Sequence, residues 1–223
     1  MKTLALALSL ALSISGLSRA DWVIVEKQDA AGQANESKTQ IKGDKARTDV
    51  GEQMSVILDA STTDITMLMH GQKSFMKVNP DKMKGLMAMA QQLTGNGGGE
   101  ATKPVATGEK EKVGEWDAEI YTWQGKMGAG KYWIATNFEG ADEIREIQSK
   151  LMKGLGAGNP LAGMAPDPMD FPGMVVKSEM TIMGQTAKTE LVSATKEDVS
   201  DDIFAMPEGY QEMKMPSIPG LGQ

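Results

Sequence analysis

The side chains with the most distinctive chemistry in this sequence are methionine thioethers and one imidazole. The 223 residues include 18 methionines and a single histidine, and they contain no cysteine. Thioethers bind Cu(I), and the run Met67-Leu68-Met69-His70 offers two sulfur atoms with an imidazole beside them. On a strand, Met67 and Met69 share one face while His70 lies on the other, so all three converge only at a bulge or a strand end. Methionine-based Cu(I) binding is therefore one alternative function.

The missing residue types and motifs argue against most other chemistry. Without cysteine there is no disulfide, zinc-thiolate site or thiol nucleophile, and one histidine is too few for most metal sites. The sequence has no G-x-S-x-G, H-E-x-x-H or phosphate-loop motif. An acid–base pair would have to come from carboxylates such as Asp49, Asp59, Asp64, Asp201 and Asp202. Asp59 and Asp64 flank a predicted turn, where their carboxylates are expected to form local hydrogen bonds with the backbone. Together with the missing motifs, this leads us to predict no enzyme and no cofactor.

The charge balance limits the kinds of partner. Acidic residues outnumber basic ones by 30 to 23, which gives a formal net charge of −7 at pH 7. Nucleic acids and anionic membranes both attract proteins with excess lysine and arginine. We therefore expect neither nucleic acid nor an anionic membrane as partner. Because the sequence shows no second apolar segment and no cysteine after the apolar core of residues 3–17, we also expect no stable membrane anchor, and we predict a monomer.

The apolar residues recur at spacings that predict a sheet covered by two helices. Short apolar/polar alternations over residues 41–80 are typical of an antiparallel meander with one buried face. Gly43-Asp44 and Gly71-Gln72 occupy positions of two-residue hairpin turns. Apolar residues at helical spacing predict amphipathic helices over residues 79–93 and 139–155.

The apolar faces of these elements predict a ligand cavity between sheet and helices. Methionine is flexible and polarisable, which suits a cavity that accepts variable apolar ligands. Plain core packing explains the same residues and is the alternative. The candidate lining residues are Met54, Val56, Leu58, Met67 and Met69 on the strands, and Met83, Leu86, Met87, Ile144, Ile147 and Leu151 on the helices.

The rest of the chain divides into a leader, one domain and a tail. Residues 1–20 have a basic start, a short apolar core and small residues before Ala20, which predict a signal peptide cleaved after Ala20. Residues 21–210 are predicted to form a single β-rich α+β domain. Within it, residues 94–112 are expected to be a flexible loop and residues 156–172 an apolar Pro/Met loop. Residues 211–223 are predicted to be a disordered tail.

Two short motifs carry a resemblance to known proteins. They are I-K-G-D-K-x-R-x-D, from Ile41 to Asp49, and D-x-F-x-x-P-x-G-Y, from Asp202 to Tyr210. With the leader, these motifs resemble an uncharacterised family of exported bacterial domains that is similar to the lipoprotein carriers LolA and LolB. The resemblance implies a strongly curved antiparallel half-barrel whose open side is closed by helices, around a cavity that holds acyl chains in the carriers.

Taken together, these features predict an exported binding protein, located in the periplasm or secreted. Its ligand is expected to be apolar, such as an acyl chain or a lipoprotein moiety, held between sheet and helices. The first alternative is an exported domain that acts through protein contacts and binds no small molecule. The second is the Cu(I) site at Met67, Met69 and His70.

Overall fold

The computed structural model describes residues 21–30, 32–78, 102–125, 128–154, 165–182 and 184–213. Twelve strands in these ranges form one sheet. They are β1 (Trp22–Ala30), β2 (Gln33–Lys42), β3 (Lys45–Val50), β4 (Met54–Asp59), β5 (Asp64–Met69), β6 (Ser74–Val78), β7 (Val105–Val113), β8 (Trp116–Gln124), β9 (Gly128–Ala135), β10 (Met174–Ile182), β11 (Gln185–Lys196) and β12 (Gln211–Glu212).

The described sheet consists of two meanders joined side by side. The strand order is β12-β6-β5-β4-β3-β2-β1-β11-β10-β9-β8-β7, and pairing is antiparallel except between β12 and β6. The pairing of β1 with β11 joins the two halves. The strand register shifts between β1 and β11, between β9 and β10, and between β7 and β8, and such bulges bend a sheet. The predicted antiparallel, open and curved sheet is therefore confirmed.

The two predicted glycine turns have different outcomes. Gly43 has φ 58° and connects β2 to β3 in a two-residue turn, as predicted. The connection from β5 to β6 is instead a 3-10 turn over His70–Gln72, so the prediction of a two-residue Gly71-Gln72 hairpin is wrong. There Lys73 takes the left-handed conformation at φ 44°, and its N–H donates to the carbonyl of His70.

One α-helix occurs in the described ranges. It is α1 (Ala141–Gly154), which confirms the helix predicted over residues 139–155. Acidic residues in its first turn and Lys153 in its last suit the helix dipole. Before the helix, Gly140 has φ +82°, and a Cβ there would lie 2.5 Å from the Trp22 ring, so glycine is required for both backbone and packing. The helix predicted over residues 79–93 lies outside the described residues.

Part of the predicted flexible loop is a strand. Residues 105–113 form β7, which pairs with β8, so the loop prediction for that part of residues 94–112 is wrong. All residues of β7 except Val113 are exposed, and the strand lies at the edge of the sheet. Charged side chains on an edge strand oppose pairing with other chains, and they remove the apolar alternation by which a strand is recognised.

The start of the predicted disordered tail is also ordered. Gln211 and Glu212 form β12 beside Ser74 and Phe75 of β6, which corrects the prediction for these residues. Residues 199–213, here called the C-terminal strap, follow β11 and lead to this edge. The strap contains a 3-10 turn over Asp201–Phe204 that is capped by the Ser200 hydroxyl.

The main core lies where α1 meets the sheet. Ile144, Ile147 and Leu151 of α1 are 0%, 2% and 7% exposed, and they pack with Trp22 and Ile41 of the sheet. A smaller cluster of Trp123, Tyr132, Ile134 and Phe171 lies beside it. The core therefore anchors the helix to the sheet along one side of the helix.

Candidate ligand-binding site

The sheet face below α1 can be derived from the strand register. Residues directly opposite each other on neighbouring strands point to the same side of a sheet. Across β1 to β6 this rule gives three rows, here called the inner face: Trp22, Ile41, Ala46, Leu58 and Ile65; Ile24, Thr39, Thr48, Val56, Met67 and Met76; and Glu26, Ser37, Val50, Met54, Met69 and Ser74. The first row is wholly apolar, whereas the third includes a carboxylate and two hydroxyls.

A cavity of about 420 Å³ lies between the inner face and α1. Its volume is within the range typical of small-molecule sites. The lining residues on the sheet include Ile24, Ile41, Ala46, Val56 and Leu58 of β1 to β4, with Tyr132 of β9 and Val175 of β10; those on the helix are Arg145, Gln148, Leu151 and Met152; and Pro166 and Phe171 come from the segment before β10. Mainly apolar groups from the sheet, the helix and this segment therefore line one space.

The structure brings some of the predicted lining residues to this cavity and places others beside it. Val56, Leu58 and Leu151 line the cavity. Ile144 and Ile147 are buried in the core behind it. Met54, Met67 and Met69 continue the inner face beyond Val56, while Met83, Leu86 and Met87 lie outside the described residues.

The methionines of the inner face form neighbouring cross-strand pairs. Met54 is directly opposite Met69, and Met67 is directly opposite Met76. All four are partly buried. His70 does not join them, because both of its ring nitrogens are hydrogen-bonded elsewhere. The described ranges also contain no group of three or more His, Cys, Asp or Glu side chains suited to holding a metal.

Among the described residues, three ionisable side chains line this mainly apolar cavity. Burial raises the pKa of the Glu26 carboxyl above its ordinary value, and burial also raises the pKa of the Tyr132 phenol. Arg145 is 8% exposed, and its guanidinium bonds to the Asp142 carboxylate and to the carbonyl of Phe171. The cavity thus combines apolar walls with a small number of polar groups.

A polar network occupies the opposite side of the sheet, here called the outer face. Ser55 is completely buried, and its hydroxyl donates to Asp49 at 2.5 Å and accepts from Arg47 at 3.0 Å. Its Oγ lies 2.6 Å from Nε2 of His70, and Nδ1 of His70 lies 2.6 Å from the hydroxyl of Tyr210. Together, these contacts link β3 and β4 to the C-terminal strap.

The hydrogen-bond directions define what this network can do. Because the single hydroxyl proton of Ser55 goes to Asp49, Nε2 of His70 is the donor in its contact with Ser55, while Nδ1 shares one hydrogen bond with the Tyr210 hydroxyl. Nucleophilic catalysis needs the opposite arrangement, in which the imidazole accepts the serine proton. The geometry is that of a structural clamp, which Arg47 extends by donating to the carbonyl of Ile203 at 2.8 Å.

One known protein family matches most of the chain. The family described as "Domain of unknown function (DUF4412)" matches residues 25–210. The chain belongs to this family. Both sequence motifs, the cavity residues from Glu26 onwards and the clamp to Tyr210 lie within the matched DUF4412 region. No curated protein matches this chain.

Several solved structures are similar at low identity. The Mycobacterium tuberculosis lipoprotein LppX is 9% identical, with 80% of this chain and 88% of LppX covered and a TM-score of 0.40. A putative outer membrane lipoprotein-sorting protein domain from Vibrio parahaemolyticus is 10% identical, with 83% and 89% covered and a TM-score of 0.37. PNGF-II is 11% identical with a TM-score of 0.42; 87% of this chain matches, but it spans only 31% of PNGF-II.

Sequence reasoning missed the polar residues of the site. Glu26 follows the apolar start of β1, where its position in the inner-face row is the only signal. Arg145 lies on the helical stripe next to Ile144, and its burial depends on the segment that contains Phe171.

No helix in the described part of the chain is long and apolar enough to cross a membrane.

Proposed function

We propose that this DUF4412 protein is an exported, non-enzymatic binding protein that holds an apolar ligand, such as an acyl chain, between its sheet and α1. The observation that carries the proposal is the cavity of about 420 Å³ under the helix. A concave, mainly apolar pocket of this size with a few polar groups is the default candidate for a ligand site.

The composition of the walls supports an apolar ligand. Most of the lining side chains are aliphatic or aromatic, and they come from β1 to β4, α1 and the Pro166–Phe171 side. Beyond Val56, the inner face continues into the partly buried methionine pairs Met54–Met69 and Met67–Met76. Because thioether side chains adapt to different shapes, this surface suits ligands of variable length.

The outer-face network supports a role without catalysis. Ser55 of this network is buried under the C-terminal strap. Its hydroxyl donates to Asp49 and not to His70, so the imidazole does not activate it as a nucleophile. Export is supported by the leader pattern of residues 1–20. The protein would then meet its ligand outside the cytoplasm.

The test is binding of an uncharged apolar fluorophore, N-phenyl-1-naphthylamine, together with native mass spectrometry of the protein purified from the exported fraction. We expect saturable binding and a co-purifying lipid. Val56→Trp fills the cavity and should weaken fluorophore binding about tenfold or more. Val192→Trp is the matched control, because Val192 is 44% exposed and lies away from the cavity.

Two results would overturn the proposal. One is the absence of both fluorophore binding and co-purified lipid, which would favour a domain that acts through protein contacts. The other is equal fluorophore affinity in Val56→Trp and Val192→Trp, with both variants folded by circular dichroism. Binding outside the cavity would then explain the fluorescence.

A further inference from the structure

The cavity has a carboxyl group at one end of its sheet wall. Glu26 lies on β1 in the third row of the inner face, opposite Leu191 of β11 on one side and Ser37 of β2 on the other. It lines the cavity and is partly buried. In the described ranges, the Glu26 carboxyl has neither a hydrogen bond nor an ion pair, and burial is the cause of its raised pKa.

The hydroxyls beside Glu26 in the rows of the inner face form hydrogen bonds with residues other than Glu26. Ser37 is 1% exposed and accepts a hydrogen bond from the Gln28 side chain at 3.0 Å. Thr39 and Thr48, in the neighbouring row, hydrogen-bond to each other at 3.0 Å. A buried acceptor without a donor is costly, so the carboxyl of Glu26 is available to a donor that a ligand brings.

The helix side of the cavity offers the complementary group. The terminal nitrogens of Arg145 are bonded to Asp142 and to the carbonyl of Phe171, but its buried Nε–H has no acceptor among the described residues. The positive charge of Arg145 is therefore paired with Asp142, while its Nε–H has no acceptor in the part of the chain that the structure describes. The titratable groups that line the cavity are Glu26, Arg145 and Tyr132.

We propose that the ligand is an amphiphile with an uncharged polar end, such as an acyl ester bearing a free hydroxyl or an acyl amide, and that Glu26 selects it against free fatty-acid carboxylates. The inference rests on the proposed function. The carboxyl of Glu26 accepts from the O–H or N–H of such a polar end, and Arg145 donates to its carbonyl. Once Glu26 is ionised, a fatty-acid carboxylate has no proton to donate to it and would place a second negative charge in a low-dielectric cavity.

The experiment compares two ligands that share the same chain. Monododecanoylglycerol and dodecanoate compete with the bound fluorophore at about pH 8, where the fatty acid is ionised and which lies well above the ordinary pKa of a glutamate carboxyl. We expect wild-type protein to bind the monoacylglycerol roughly tenfold or more tightly than dodecanoate, beyond the difference in their partition into a neutral solvent. Glu26→Gln should reduce this preference roughly tenfold by strengthening dodecanoate binding.

The control variant is Glu190→Gln, which removes the same charge from an exposed position on β11. It should leave the ratio of the two affinities unchanged. If Glu26→Gln and Glu190→Gln give the wild-type ratio, or if wild-type protein prefers dodecanoate, the selection by Glu26 is wrong while the apolar-ligand function stands. If the fluorophore does not bind at all, the proposed function itself fails.

Discussion

At the scale of single residues, the two sequence motifs meet in space. Arg47 and Asp49 come from the first motif, Tyr210 ends the second, and His70 and Ser55 connect them. The motifs are about 150 residues apart in sequence, and Arg47 and Ile203 are joined directly by a hydrogen bond. The residues that support the family resemblance thus hold the C-terminal strap to the outer face and do not line the cavity.

Ser55→Ala tests this clamp. The substitution removes one donor and two accepting lone pairs at a completely buried position, which leaves Asp49, Arg47 and His70 with unpaired groups. We expect a loss of about 2–3 kcal/mol in the free energy of unfolding, measured by urea denaturation. Tyr210→Phe removes a single hydrogen bond and should cost about 1 kcal/mol.

Ser61→Ala is the control for the clamp. Ser61 is an exposed turn residue that bonds to Asp59, so its substitution should change stability by about 0.5 kcal/mol or less. A Ser55→Ala protein with the stability of the Ser61→Ala protein would show that the network contributes nothing to folding.

Glu26 makes stability depend on pH in a defined direction. Burial raises its pKa in the folded state, so the folded state holds this proton to a higher pH than the unfolded state does. The contribution of Glu26 to stability is fully present below the pKa that its carboxyl has in the unfolded chain. It is lost as the pH rises through the higher pKa of the folded state. Glu26→Gln removes this loss, and we therefore expect it to raise Tm more at about pH 8 than at about pH 4.

Thermal melts of wild-type and Glu26→Gln protein across this pH range provide the measurement. An equal change in Tm at both pH values would mean that Glu26 titrates alike in the folded and unfolded chain. Asp59 acts in the opposite sense. Hydrogen bonds from Ser61 lower the pKa of its carboxyl in the folded state, so its contribution to stability is lost as the pH falls.

At the scale of elements, α1 is the part that turns an apolar sheet face into an enclosed site. Ile144 is completely buried between α1 and the sheet, whereas Glu146 on the same helix is exposed. Ile144→Ala should cost about 2–4 kcal/mol, because it leaves a void in the helix–sheet core. Urea unfolding should show this loss, while Glu146→Ala should stay within about 0.5 kcal/mol of wild type. Equal stability of the two variants would contradict this role of the helix.

The two elements misjudged from sequence share a cause. β7 and β12 are both edge strands with mostly exposed residues, and β12 pairs over only two residues with the distant strand β6. Such strands are ordered by backbone hydrogen bonds to a neighbouring strand, so their side-chain pattern carries little information about their structure. The charged Thr107–Lys112 stretch of β7 therefore resembles a loop in its composition.

At the scale of the whole molecule, the open sheet of the described residues places the cavity and the clamp on opposite faces. The inner face of β1 to β4 and α1 enclose the cavity, while the outer face of β3 and β4 carries the clamp and the C-terminal strap. Alternation of side chains along a strand separates the two functions: Thr48 and Val56 face the cavity, and Asp49 and Ser55 face the strap.

The sequence by itself determined the meander, α1, the turn at Gly43 and the absence of thiol chemistry, because alternation, helical spacing and composition are local properties. Only the tertiary structure decided that Val56 and Leu58 line a cavity with Leu151, while Ile144 and Ile147 fill the core behind it. The positions of Glu26 and Arg145 in that cavity were decided in the same way. Whether an apolar or polar side chain faces a cavity, a core or solvent depends on strand pairing and helix docking between distant residues, which no local pattern specifies.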